Sequence, residues 1–223
     1  MVAQQLPAAV MWDLDGTLIN SEPYWAESEK VLLNSAGQEW NYDIAAKLQG
    51  NSLTFVAEYM ISSGVTDKSV EEIAQFMVEY VYRKEVEVLP WTAGVYEFVG
   101  MLRDAGIPQM VVTSSPEKLA KNVVAQAPEG AFVGFVSDDT DVEHKPSPEP
   151  YLYAARHMGV KIEDCLIFED SVPGLTAAGA SGASWVSVTG YSSIDARELG
   201  LAKHFIENFE GLGLEDVQGF MAR

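Results

Sequence analysis

The chain is 223 residues long and 48% apolar, enough for one domain with an insertion or two modest domains around a substantial core. Its 33 Asp and Glu against 14 Lys and Arg give a formal charge of −19, so its global field repels nucleic acid and anionic membrane. A lone cysteine, Cys165, excludes an internal disulfide, no run of about 18 apolar residues marks a membrane span, and Met1 to Pro7 has no basic start or apolar stretch; a cytoplasmic monomer is expected.

The first element is an apolar run, Ala8 to Trp12, which ends at the turn Asp13-Leu14-Asp15-Gly16-Thr17. A short apolar run stopped by turn chemistry predicts a buried strand. Two carboxylates two residues apart on near-extended chain point the same way, and ionising both requires a cation or a polar cage. A structural acidic turn or a calcium loop would also use such residues. An EF-hand, however, places its glycine sixth and follows a helix, whereas Gly16 is fourth from Asp13 and follows a strand.

From Asn20 to Glu87 the text is helical. Ser21 or Glu22 before Pro23 opens the first helix, and Gly37, Gly50 and Gly64 fall where helices end. Ser69-Val70-Glu71-Glu72 reads as a capping box, followed by Ile73, Phe76, Met77, Tyr80 and Val81 on one face. No strand is expected there, so an all-helical insertion closes at Leu89-Pro90.

After it the text alternates. A helix is expected over 93–105, a strand over 108–112, and a helix capped by Ser115 before Pro116 and running to about Ala127. A third strand follows over 132–136, then a polar loop carrying Lys145-Pro146 and a helix over 149–158. A fourth strand over 165–168 ends at Glu169-Asp170-Ser171, with Cys165 read as a buried structural thiol. A small-residue helix over 173–181 and a fifth strand over 185–189 complete the pattern. Strands alternating with helices predict a parallel α/β sheet covered on both faces.

Polar residues stand at the C-terminal ends of these strands: Asp13 and Asp15, Thr113 and Ser114, Glu169 and Asp170, with Lys145 in a neighbouring loop. Each has a bland explanation as a cap, a first-turn acid or a solvated lysine. In a parallel sheet, however, these ends share one edge, where ligands bind.

The four stretches, in this order, resemble the motifs of the haloacid dehalogenase superfamily: Asp13-Leu14-Asp15-Gly16-Thr17, Val111-Val112-Thr113-Ser114-Ser115, Lys145-Pro146 and Phe168-Glu169-Asp170-Ser171. The runs Lys145 to Tyr151 and Glu169 to Ala178 are similar to the β-phosphoglucomutase-like branch. The resemblance implies a Rossmann-like parallel sheet core, residues 1–19 and 90–223, with an inserted helical cap over 20–89 that hinges and sets substrate choice. It implies a phosphomonoesterase acting on a small phosphorylated metabolite, with sugar phosphates among the candidates, through an aspartyl-phosphate. Asp13 would be the nucleophile and Asp15 the general acid and base. Thr113, Ser114 and Lys145 would cradle the phosphoryl group. Mg²⁺ would be held by Asp13, the Asp15 carbonyl and Asp170, with Glu169 as outer or alternate ligand.

A phosphoglucomutase-type isomerase is the alternative. It needs cap cations to hold a second phosphate, but Asn51, Ser52, Leu53 and Thr54 follow Gly50 and none is basic. Metal-free dehalogenation leaves Asp15 and Asp170 without a use. Phosphonate cleavage asks for an imine-forming cap lysine, and nothing marks Lys30 or Lys47 for that role. A phosphate-binding module without turnover is the non-enzymatic reading.

Overall fold

The structure, a computed structural model, describes residues 6–48, 51–192 and 196–221. In chain order it comprises β1 (Ala9–Trp12), α1 (Glu22–Ser35), α2 (Tyr42–Leu48), α3 (Leu53–Ser62), α4 (Val70–Glu87), α5 (Val95–Asp104), β2 (Gln109–Val112) and α6 (Glu117–Gln126). Then come β3 (Gly134–Val136), α7 (Glu149–Met158), β4 (Cys165–Glu169), α8 (Val172–Ser181), β5 (Ser184–Val188), β6 (His204–Ile206) and α9 (Leu214–Phe220). The chain divides into two compact units, Met1–Asn20 with Pro90–Arg223, and Ser21–Leu89.

The first unit is an α/β Rossmann-like fold. Its six strands are all parallel, in the order β3-β2-β1-β4-β5-β6. β1 is central, with Met11 in register with Met110 on one side and Ile167 on the other. All four of its residues are fully buried, which is why it reads as an unbroken apolar run. The chain builds outward from β1 to β2 and β3, then crosses to β4, β5 and β6. Such a reversal opens a crevice at the C-terminal ends of β1 and its neighbours.

The core on one side of the sheet is aromatic. Trp12 stacks on Phe168 at 4.6 Å between ring centroids, and Phe98 and Phe209 close around both. The Trp12 indole N–H donates to the buried Gln109 amide, which in turn donates to the carbonyl of Val99, so neither polar group is left unpaired. Cys165 is buried and reduced; its thiol donates to the carbonyl of Lys161, and burial pushes it up to about 12.

The second unit is all-helical among the described residues. α1 to α4 enclose Leu32, Leu33, Met60, Ile73 and Met77. The capping box forms, with Ser69 Oγ accepting from Glu72 N at 3.2 Å and the Glu72 carboxylate accepting from Ser69 N at 2.8 Å. Lys84 pairs with Glu27 at 2.7 Å, and Tyr24 donates to the carbonyl of Val88 at 2.9 Å, tying the beginning of the unit to its end. Gly37 and Gly64 take positive φ at helix ends, while Gly50 lies outside the described residues, as do Met1 to Gln5 of the N-terminal stretch. No described helix is long and apolar enough to cross a membrane.

Two local expectations are corrected. Ser115 does not cap α6: that helix begins one residue later, after Pro116, and its first N–H, from Glu117, is bound by the Asp139 carboxylate at 2.7 Å. Finally, β6 and α9 extend the fold beyond the fifth strand, where no elements were expected.

Candidate active site

The site grows out of the end of β1. Asp13 N donates to the carbonyl of Phe168 at 3.0 Å, so the strand pairing carries the first carboxylate beside β4. The chain then turns tightly, with Gly16 N donating to the carbonyl of Ile19 at 2.7 Å. Gly16 has φ +86°, and a Cβ there would overlap the Asp170 carboxylate. A glycine at this turn therefore does two things: it takes the left-handed backbone, and it lets Asp170 approach.

Lys145 sits at the centre of the charges. Its ammonium donates to Asp13 Oδ1 at 2.7 Å, to Glu169 Oε1 at 2.6 Å and to the carbonyl of Val112 at 2.8 Å, which uses all three of its protons. Its side chain is almost wholly buried, as are its partners. Burial works against the ammonium, but the charges of Asp13 and Glu169 outweigh it and raise Lys145 well above the usual lysine range.

Glu169 is the anchor beneath. One of its oxygens takes Lys145 and the Tyr151 hydroxyl at 3.0 Å. The other accepts from Asp170 N at 2.9 Å, and from Ser171 N and Oγ, both at 3.1 Å. The Ser171 hydroxyl also caps α8 by accepting from Gly174 N at 3.1 Å, and a Cβ on Gly174 would collide with the Glu169 carboxylate. The small-residue start of α8 is therefore what leaves room for this buried acid. Ser192 donates to the carbonyl of Asp170 at 2.7 Å and holds that stretch of backbone.

Acidic oxygens of Asp13, Glu169 and Asp170 lie within 4.8 Å of one another. Burial, then the charge of Glu169, pushes Asp13 up to about 8 despite Lys145. Burial, then Asp13 and Glu169, raises Asp170 well above the carboxylate range. One ammonium does not neutralise three carboxylates. An all-oxygen, electron-rich cluster of this kind fits a hard divalent cation.

Thr113 follows β2, buried, and its N–H donates to the carbonyl of Val136 at 2.9 Å. Its hydroxyl accepts from Ser115 N at 2.9 Å, so its own proton is left to donate. Ser115 in turn donates its hydroxyl to Asp15 Oδ2. The seven expected positions thus separate into groups. Asp13, Lys145, Glu169 and Asp170 form one buried cluster, Asp15 and Thr113 are linked through Ser115, and Ser114 is exposed beside them. Tyr151, Ser115, Ser171 and Ser192 were not singled out for the site. Tyr151 and Ser171 carried a signal, since they lie in the same short stretches as Lys145 and Glu169; Ser115 and Ser192 carried none in their partners, which lie 100 and 22 residues away.

A family model described as haloacid dehalogenase-like hydrolase matches residues 7–182. The fructose-1-phosphate phosphatase YqaB of Escherichia coli is 28% identical over 185 residues, covering 81% of this chain and 96% of the relative. A phosphoglycolate phosphatase of Pseudomonas putida is 29% identical, covering 84% of this chain and 71% of the relative. Among solved structures, a family IA, variant 3 hydrolase of the same superfamily from Entamoeba histolytica superposes with TM-score 0.83 at 22% identity, covering 96% of this chain and 99% of that one. A β-phosphoglucomutase from Clostridium difficile superposes with TM-score 0.78 at 20% identity, with 97% of each chain covered. With the family model spanning most of its length and its strand-end acids gathered at one sheet edge, the chain belongs to the haloacid dehalogenase-like hydrolases.

Proposed function

We propose that this hydrolase, a phosphomonoesterase of its family, releases phosphate from a small phosphorylated metabolite of the sugar-phosphate class, with Mg²⁺ as cofactor. The observation that carries the reading is the meeting of Asp13, Lys145 and Asp170 at the end of β1, where an acidic nucleophile lies beside both a fixed cation and further acidic ligands. Names of curated relatives support a small phosphorylated metabolite: one is a fructose-1-phosphate phosphatase, which names a sugar phosphate, and others are phosphoglycolate phosphatases, which name a phosphorylated hydroxy acid.

In this reading Asp13 attacks phosphorus and becomes an aspartyl-phosphate while the ester bond to the leaving alcohol breaks. Lys145 orients Asp13 through Oδ1 and offsets negative charge as the phosphoryl group arrives. Thr113 donates its hydroxyl to a phosphoryl oxygen, with Ser114 and the turn's N–H groups beside it. Asp15 gives a proton to the leaving alcohol, then takes one from the water that cleaves the aspartyl-phosphate. Asp13, Asp170 and the Asp15 carbonyl would hold Mg²⁺, with Glu169 outside or alternating because Lys145 and four other donors already occupy it. When bound, the ion would supply positive charge that lets one anion attack another. The helical unit, residues 20–89 in the expectation, is proposed as the part that selects the substrate.

The test is a phosphate-release assay with p-nitrophenyl phosphate and a panel of sugar phosphates. Activity should need Mg²⁺ and disappear on exhaustive chelation. Asp13→Asn should lower turnover by at least about four orders of magnitude with an unchanged fold by circular dichroism. Full activity in chelator, or in Asp13→Asn, would refute the assignment. Isomerised sugar phosphate without free phosphate would establish the mutase alternative instead; Asn51 and Ser52, at the position where that reading wants a cation, serve as local helix caps.

A further inference from the structure

We propose that Ser115 is a positioning residue for Asp15, its hydroxyl holding one carboxylate oxygen so that the other is the one that carries and delivers the proton. The inference rests on the phosphatase reading above. Its starting point is the hydrogen bond from Ser115 Oγ to Asp15 Oδ2, which joins the turn after β1 to the loop after β2 across 100 residues of sequence.

Ser115 is built to present that hydroxyl. Its N–H donates to Thr113 Oγ1 at 2.9 Å, and its carbonyl accepts from Asp138 N at 3.1 Å, so its backbone is pinned from the ends of both β2 and β3. Pro116 follows and disfavours the helical conformation at Ser115. The role a serine would ordinarily take before such a helix, capping it, has passed to Asp139. The side chain is thereby released from local duty and aimed across the sheet edge.

Asp15 is half-buried in its turn, whereas Asp13 is gripped by Lys145. A hydroxyl has one proton to give. Given to Oδ2, it keeps that oxygen an acceptor, and a carboxylic acid proton then resides on Oδ1. As the Asp13 oxygen bonds to phosphorus and the phosphorus–oxygen bond to the alcohol breaks, the Oδ1 proton passes to the departing oxygen. A carboxyl free to rotate would present the proton in only a fraction of its orientations, and small misplacements of a catalytic group are expensive in rate.

The consequence depends on the leaving group. An alkoxide needs the proton; p-nitrophenolate leaves nearly unaided. The experiment compares kcat/KM, which reports the first chemical step, for p-nitrophenyl phosphate and an alkyl phosphate such as a sugar phosphate turned over by the wild type. Ser115→Ala should lose at least about tenfold more on the alkyl ester than on the aryl ester. Ser115→Thr should keep the wild-type ratio, and Ser115→Val, equal in volume but without the hydroxyl, should behave like Ser115→Ala. In an Asp15→Asn background Ser115→Ala should bring no further selective loss.

Equal losses on both esters, an unchanged ratio, or a further selective loss in the Asp15→Asn background would each overturn the assignment. A wild type that releases phosphate from neither ester would instead defeat the phosphatase reading, a result distinct from an active wild type whose variants lose no selectivity.

Discussion

Glu169 shows how much of this site is held by one buried side chain. It accepts from Lys145, Tyr151, Asp170 N and both donors of Ser171, and it is fully buried. Its loss leaves Lys145 paired with Asp13, but strands the Tyr151 hydroxyl and the donors of Asp170 and Ser171, at about 1–3 kcal/mol for each buried group left unpaired. Glu169→Ala should therefore destabilise the protein in urea unfolding by more than one such group, in addition to losing activity. Tyr151→Phe removes one donor and keeps the ring over Lys145, so it should cost only about 1.5–3 kcal/mol. Equal losses in the two variants would contradict the ranking. The acids at strand ends were legible in the sequence because parallel strands bring their C-terminal ends to one edge, where residues far apart in the chain converge. Ser115 was not, because its role lies in a partner 100 residues away.

At the scale of elements, local rules succeeded where the partner is local. Ser69 and Glu72 are three residues apart and cap α4 as their spacing predicts. Ser115 obeyed the same rule on paper, but the Asp139 carboxylate, from another loop, accepts the first N–H of α6 in its place. β6 escaped because it is three half-buried residues at a sheet edge, too short to show a period. The helical unit carries a pH signature of its own. Glu29 is buried and accepts from the Trp40 indole at 3.0 Å; burial raises its pKa above the ordinary glutamate value, with the indole pulling the other way. A raised carboxyl binds its proton more tightly folded than unfolded. Its contribution to stability is thus fully present below the ordinary value and is lost as pH rises through the folded one. Glu29→Gln, which keeps an acceptor for Trp40, should raise the melting temperature at neutral pH and leave it nearly unchanged near pH 4. A variant less stable than wild type at neutral pH would show that the charged form is favoured there.

For the whole molecule the charge of −19 poses a problem that the site must solve. On the proposed function, an anionic phosphate ester approaching this surface meets a repulsive field, and attraction begins only near Lys145 and the proposed divalent cation. Repulsion from distributed surface charge acts over long range and is screened as the Debye length shrinks from about 30 Å at 0.01 M salt to about 8 Å at 0.15 M. The contacts inside the buried cluster are much shorter and lose little to screening. The long-range repulsive part therefore weakens first. For a sugar phosphate, kcat/KM at saturating Mg²⁺ should rise as NaCl is added over this range, with kcat nearly constant. An electrostatically steered enzyme shows the opposite slope. A steep fall in kcat/KM would mean that the field felt by the substrate is set by a local positive funnel and not by the excess of acids over the whole surface. The same screening should raise the melting temperature, because self-repulsion among the 33 acids opposes the compact state. A neutral osmolyte at matched osmolality separates this charge effect from general surface exclusion, since only the salt should change the slope of kcat/KM.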